Sequence, residues 1–152
     1  MAWIWQSRPS ELGQFKFWKR LIEDEVALGD LIKLCLSHIG DEVQTATSGR
    51  QGIVMAGQNP PDLIILDLML PDFDGCEFYR RLKVIPALKQ VPVLLTEAFS
   101  AESIYPKAKR VGMDGYLIKP FTVPELLTAR QALLDGKTYY PFDSTNKSGN
   151  RG

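Results

Sequence analysis

Two cysteines and one histidine are all that the 152-residue chain offers of the side chains that most often build disulfide frameworks and zinc sites. Cys35 and Cys76 lie far apart, each in an apolar-periodic segment and with no C-x-x-C pair. That argues against both devices and predicts two reduced thiols in a cytoplasmic protein. Net charge is also missing, since 18 Lys and Arg balance 18 Asp and Glu. With the cations scattered along the chain, the long-range attraction behind nonspecific binding to nucleic acid or an anionic membrane is absent, so neither is expected as a direct partner. The longest apolar run, Met1-Ala2-Trp3-Ile4-Trp5, falls far short of the roughly 20 residues of a membrane span and lacks the layout of a signal peptide. No internal repeat is visible, and His38 has no acidic or serine partner that would make it catalytic. The length suits one domain of ordinary size, with enough apolar content to fold without staples.

What recurs is a short apolar run, a turn and a helix-like segment. Leu63-Ile64-Ile65-Leu66 follows Asn59-Pro60-Pro61 and stops at Asp67, the pattern of a strand buried on both faces of a parallel sheet. Residues 91–95, 116–118 and 42–46 read as further strands. Between them, residues 27–39, 49–58, 76–84 and 124–134 are helix-compatible, with Leu28, Leu31, Ile32, Cys35 and Ile39 near one helical face and Pro124 in a first turn where its missing N–H costs nothing. Strands alternating with helices predict an α/β fold with helices on both faces of a parallel sheet. In such sheets functional groups gather at the carboxyl ends of the strands.

Reading only those ends yields Glu23-Asp24-Glu25, Asp67, Thr96 and Lys119-Pro120. Crowded carboxylates repel one another unless a cation neutralises them, and a few hard oxygen ligands suit Mg²⁺. A lysine and a hydroxyl facing the same carboxylates are parts that handle a phosphoryl group, which an aspartate can itself accept as a nucleophile.

Four motifs in order carry a family likeness: Ile22-Glu23-Asp24-Glu25; the run Pro61-Asp62-Leu63-Ile64-Ile65-Leu66-Asp67-Leu68-Met69-Leu70-Pro71-Asp72-Phe73-Asp74-Gly75; Pro92-Val93-Leu94-Leu95-Thr96; and Gly112-Met113-Asp114-Gly115-Tyr116-Leu117-Ile118-Lys119-Pro120-Phe121. The pattern over residues 19–134 resembles the response-regulator receiver domain of two-component signalling, the CheY-like superfamily. The resemblance implies a flavodoxin-like (βα)5 fold with a five-stranded parallel sheet in the order 2-1-3-4-5. It further implies that Asp67 is the phosphoacceptor and that Mg²⁺ is held by Asp24, by Glu23 largely through water, by Asp67 and by the Met69 backbone carbonyl. Lys119, on a cis bond to Pro120, would neutralise a phosphoryl oxygen. Thr96 would hydrogen-bond the phosphoryl group, and Tyr116 would rotate inward as the partner switch residue.

The chain departs from the pattern in places. Phe17-Trp18-Lys19-Arg20-Leu21-Ile22 puts two cations where a central buried strand belongs, and buried unpaired cations are expensive. The first strand is therefore expected to be shortened to about Leu21-Ile22, or replaced by a helix, because Leu12, Phe15, Trp18, Ile22 and Val26 also satisfy helical spacing. Glu97 stands where the family has a small residue, so an anionic side chain that crowds or repels a phosphodonor is expected to slow phosphorylation. Pro106 restricts the fourth helix to a short one starting near Ser103. Arg130 followed by Gln131 weakens, without excluding, a homodimer through the last helix.

The expected organisation is an aromatic-rich extension over residues 1–18, a receiver over 19–134 and a flexible tail over 135–152, in which Tyr139-Tyr140-Pro141-Phe142 could dock locally. All three Trp lie in the extension, where they cover a sheet edge or a helix, or else meet a partner. The resulting expectation is a non-enzymatic, stand-alone receiver taking its phosphoryl group from a sensor histidine kinase or phosphotransfer protein and signalling through an unknown downstream protein. The alternatives are a pseudo-receiver independent of phosphorylation and a receiver fragment of a DNA-binding regulator.

Overall fold

A computed structural model describes residues 7–9, 15–22, 26–67, 72, 74–98 and 101–141. In chain order the elements are β1 (Ser7–Pro9), β2 (Phe15–Ile22), α1 (Val26–His38), β3 (Asp41–Ala46), α2 (Gly49–Gln58), β4 (Leu63–Asp67), α3 (Gly75–Lys83), β5 (Val93–Glu97), α4 (Ala101–Val111), β6 (Gly115–Ile118) and α5 (Val123–Leu134). Parallel pairing joins β3 to β2, β2 to β4, β4 to β5 and β5 to β6. The short β1 pairs antiparallel with the first half of β2.

The alternation of side chains along β4 explains the layers. All five of its residues are buried. Leu63 and Ile65 pack on one face with Ile32 and Leu36 of α1 and Leu126 and Leu133 of α5. Ile64 and Leu66 pack on the other with Ala56 of α2, Phe78 and Leu82 of α3 and Ala108 of α4. Four successive apolar residues pointing to alternate faces are stable only when both faces are covered, and each such side chain contributes about 1.5–3 kcal/mol on burial. The helices begin where side chains satisfy their first amides. Asp74 accepts from Cys76 N at the start of α3, and Thr122 and Glu125 form a reciprocal capping box on α5.

Three expectations are corrected. The first strand of the parallel sheet is neither short nor replaced by a helix: β2 is eight residues long, and it takes in residues 15–18 of the expected extension. Its backbone is paired to β3 over residues 17–22 and to β4 over 19–22. Main-chain ladders on both sides hold it regardless of the cations in its sequence. Helix α4 starts at Ala101 rather than near Ser103 and carries Pro106 in its interior, where the ring cannot donate to the carbonyl four residues back.

The tail is also ordered through residue 140. A Schellman turn closes α5, with Gly136 at φ +75°, Gly136 N bonded to Leu133 O and Lys137 N bonded to Ala132 O. Tyr139 then pairs with Gly115 at the edge of β6. The tail beyond Pro141 and most of the aromatic extension lie outside the described residues.

One buried ion pair ties the two ends of the fold. Arg130 of α5 donates Nε to Asp41 Oδ2 and Nη2 to Asp41 Oδ1, both at 2.8 Å, with side chains only 11% and 0% exposed. Removing one partner strands the other charge away from water. Arg130→Ala is expected to lower unfolding free energy by about 3 kcal/mol, read from the urea midpoint, while the double variant Asp41→Leu/Arg130→Met recovers most of the loss.

Candidate functional site

Because β4, β5 and β6 are parallel neighbours, their carboxyl ends stop along one edge. Asp67 is the last residue of β4 and is 6% exposed. Thr96 is its register partner on β5, is fully buried, and donates Oγ1 to Leu66 O at 3.4 Å. Lys119 follows the last residue of β6 and donates Nζ to Asp67 Oδ2 at 2.9 Å. Its own amide is bonded to Glu97 O at 2.6 Å, and the Lys119–Pro120 peptide is cis. Three strand ends thus bring together a carboxylate, a hydroxyl-bearing residue and an ammonium group. The pair is mostly shielded from solvent, where charge-assisted bonds are short and strong.

Glu23, Asp24 and Met69 lie outside the described residues. The register Ile22↔Leu66 brings the end of β2 beside the carboxyl end of β4, one residue before Asp67. Among the described residues no three His, Cys, Asp or Glu side chains gather as a metal shell. Cys35 and Cys76 are half-buried and free, and His38 is exposed at the end of α1.

Tyr116 is fully buried in the core beneath α2, α3 and α4, its ring 5.7 Å from that of Tyr140. Glu97 does not project into solvent, being 1% exposed with Oε1 accepting from Ala98 N at 2.8 Å. Its Oε2 is buried without a hydrogen-bond partner among the described residues.

Sequence reasoning missed the role of Asp72. This residue of the β4–α3 connection accepts Gly49 N on Oδ1 at 2.8 Å and Arg50 N on Oδ2 at 3.0 Å. It therefore caps α2 alongside Ser48, whose hydroxyl accepts from Gln51 N. Ser48 before Gly49 was visible as a helix-start signal. A second cap from more than twenty residues away was not.

A family model described as the response regulator receiver domain matches residues 20–131. The chain belongs to the response regulator receiver domain family. It is 37% identical over 114 residues to the phosphate regulon transcriptional regulatory protein PhoB of Rhizobium meliloti, covering 75% of this chain and 50% of that protein. It is 40% identical over 114 residues to the DNA-binding dual master transcriptional regulator RpaA of Synechocystis, covering 75% and 47%. The chain thus spans about half the length of the curated relatives it matches. A solved response regulator from Chloroflexus aurantiacus aligns with TM-score 0.72 at 29% identity, over 76% of this chain and 95% of that one. The receiver domain of a sensor histidine kinase from Pseudomonas aeruginosa aligns with TM-score 0.70 at 27% identity, over 76% and 95%. That structure is described with a magnesium ion coordinated in its active-site cleft. In this receiver no helix among the described residues is long and apolar enough to cross a membrane.

Asp72 makes a pH-dependent contribution. Desolvation pushes its carboxyl up, but the Arg50 and Gly49 amides and the Arg50 charge together hold it below the ordinary value. A depressed native value means stability that is present above the unfolded pKa of about 3.9 and lost as the pH falls through the native one. Asp72→Ala is expected to lower the thermal midpoint at pH 7, with the difference from the unaltered chain shrinking once the pH drops below about 4. A difference independent of pH would contradict this account.

Proposed function

We propose that Asp67 accepts a phosphoryl group from a sensor histidine kinase or a phosphotransfer protein. The observation that carries the reading is the Lys119–Asp67 bond at the joined ends of β4 and β6, with Thr96 in register beside it. A carboxylate oxygen of Asp67 attacks phosphorus, forming a P–O bond as the donor's P–N bond breaks and its imidazole nitrogen keeps the electron pair. Lys119 neutralises a phosphoryl oxygen and Thr96 donates a hydrogen bond to another. The chain supplies positioning and charge to a reaction in which it is itself consumed, so it is a phosphoacceptor rather than a turnover enzyme.

Mg²⁺ fits the residues at this edge, because Asp67 is a buried hard-oxygen donor and the sequence supplies Glu23 and Asp24 directly after the strand level with it. Glu23, Asp24, Asp67 and the Met69 carbonyl would hold it, and when bound it supplies charge neutralisation for the incoming phosphoryl group.

Output through protein–protein contacts of a stand-alone cytoplasmic receiver agrees with the zero net charge. A second reading, in which these residues are the receiver part of a DNA-binding regulator, is favoured by the relatives. Both are named as transcriptional regulators and are about twice the matched length. The reading frame past Gly152 separates the two.

Incubation with Mg²⁺ and acetyl phosphate is expected to add one phosphoryl mass to the chain and none to Asp67→Asn. Equal gain in both would overturn the assignment. Glu97→Ala removes a buried carboxyl next to Thr96 in sequence and is expected to raise the phosphorylation rate severalfold. If Glu97→Ala left the rate unchanged, the repulsion account would fail, and a rate near zero in the unaltered chain would favour a pseudo-receiver.

A further inference from the structure

We propose that the tail residues Lys137–Pro141 form a strap that positions Lys119 by closing the outer edge of β6, an inference that rests on the phosphoacceptor reading above. β6 has only four residues and is the last strand of the sheet. Its inner side is paired with β5, and an edge strand left open on the other side would be free to shift or to pair with another chain.

The tail supplies the missing partner. Tyr139 N donates to Asp114 O and Tyr116 N donates to Tyr139 O, both at 3.0 Å. The two tail tyrosines straddle the sheet. Tyr139 packs against the α1/α5 face, while Tyr140 packs against the α2/α3/α4 face. There the Tyr140 ring leans on Tyr116 and its hydroxyl donates to Met113 O.

Gly115 makes the approach possible. A Cβ there would stand 2.8 Å from Tyr139 O, closer than real Cβ atoms come, and tightly against Leu133 Cδ1 at 3.1 Å and Tyr139 Cβ at 3.2 Å. The backbone oxygen of Tyr139 is the tightest of these approaches, at a strand position where glycine is otherwise unfavourable. The strand then runs from Gly115 to Ile118 and delivers Lys119, whose Nζ sits 2.9 Å from Asp67 Oδ2. A hydrogen bond of that kind tolerates only a few tenths of an ångström of displacement, so whatever fixes β6 fixes the ammonium group. Strap closure and phosphoryl binding are accordingly linked, and linkage is reciprocal: if the strap strengthens binding by a given factor, binding strengthens strap closure by the same factor.

The probe is beryllofluoride with Mg²⁺, titrated calorimetrically into the full chain, a chain ended after Asp135, Gly115→Ala, and the combination. Gly115→Ala keeps every tail residue but expels the strap from its seat. Each single change is expected to weaken binding about fivefold, and the combination no further, because both remove one interaction. In the full chain the probe is expected to slow hydrogen exchange at the Tyr116 amide by a similar factor.

Unchanged affinity in both single variants, additive losses in the combination, or Tyr116 exchange insensitive to the probe would each overturn the strap's positioning role. Should the shortened chain lose cooperative unfolding, Tyr140→Phe takes its place. It removes only the hydroxyl bonded to Met113 and is expected to weaken binding less than Gly115→Ala does. No binding by the full chain, with Asp67→Asn identical, overturns the phosphoacceptor reading itself and the coupling with it. In that case faster exchange of the Tyr116 amide in Gly115→Ala would still report the pairing alone.

Discussion

The bond from Lys119 Nζ to Asp67 Oδ2 joins the ends of two strands that are not neighbours in the sheet, since β5 lies between them. It can form only if all three strands run parallel and stop level. Parallel pairing in turn requires a crossover after each strand, which is why α3, α4 and the connections around them exist where they do. The apolar runs that satisfy both faces of the sheet therefore also determine where the charged groups meet. Thr96 and Asp67 are register partners, so a one-residue slip of β5 would put Leu95 or Glu97 opposite Asp67 in place of Thr96.

Legibility in the sequence followed the range of the interaction. β4 was plain because the four successive apolar residues Leu63–Leu66, stopping at Asp67, need no partner to be recognised. α2, whose bounds were read as they stand, is marked by Ser48 before it and by the Asn-Pro-Pro break after it. β2 was misjudged because residues 12–26 fit both periodicities and Lys19 and Arg20 interrupt the apolar run. What makes it a strand is pairing on both sides by β3 and β4, which come later in the chain. β1 was not seen at all, being three residues ending in Pro9, a residue acceptable only at a strand's margin or on an edge. Of the expected site, Asp67, Thr96 and Lys119 stand together, as the reading of the strand ends expected. The cap from Asp72 and the seat for Tyr139 were invisible because each joins segments that only folding brings close.

Edges decide much of what remains. β2 and β4 are interior strands, but β6 is a terminal strand, and its outer side is met by the chain's own tail at Tyr139. The geometry there depends on two glycines for different reasons. Gly136 supplies the left-handed conformation that turns the chain back after α5, a position where any Cβ is strained. Gly115 supplies the space into which the returning strand fits. Tyr139 and Tyr140 then make the contact two-sided, each ring extending one of the two cores past the last strand. A segment that composition alone marks as polar and loose is thus ordered by a turn, a gap and a pair of rings.

Overall neutrality conceals how unevenly the charge is arranged. Near the ends of β4 and β5, two carboxylates, Asp67 and Glu97, are almost fully buried, and Lys119 is the cation bonded to the first of them. Glu97 spends one oxygen on a backbone amide and the other on nothing among the described residues. The Asp41–Arg130 pair shows the contrasting arrangement, with both carboxylate oxygens matched by one guanidinium. That pair is satisfied and holds the fold. At the strand ends Asp67 is bonded to Lys119 Nζ, whereas Glu97 Oε2 has no hydrogen-bond partner among the described residues, and a buried polar atom left in that state is costly.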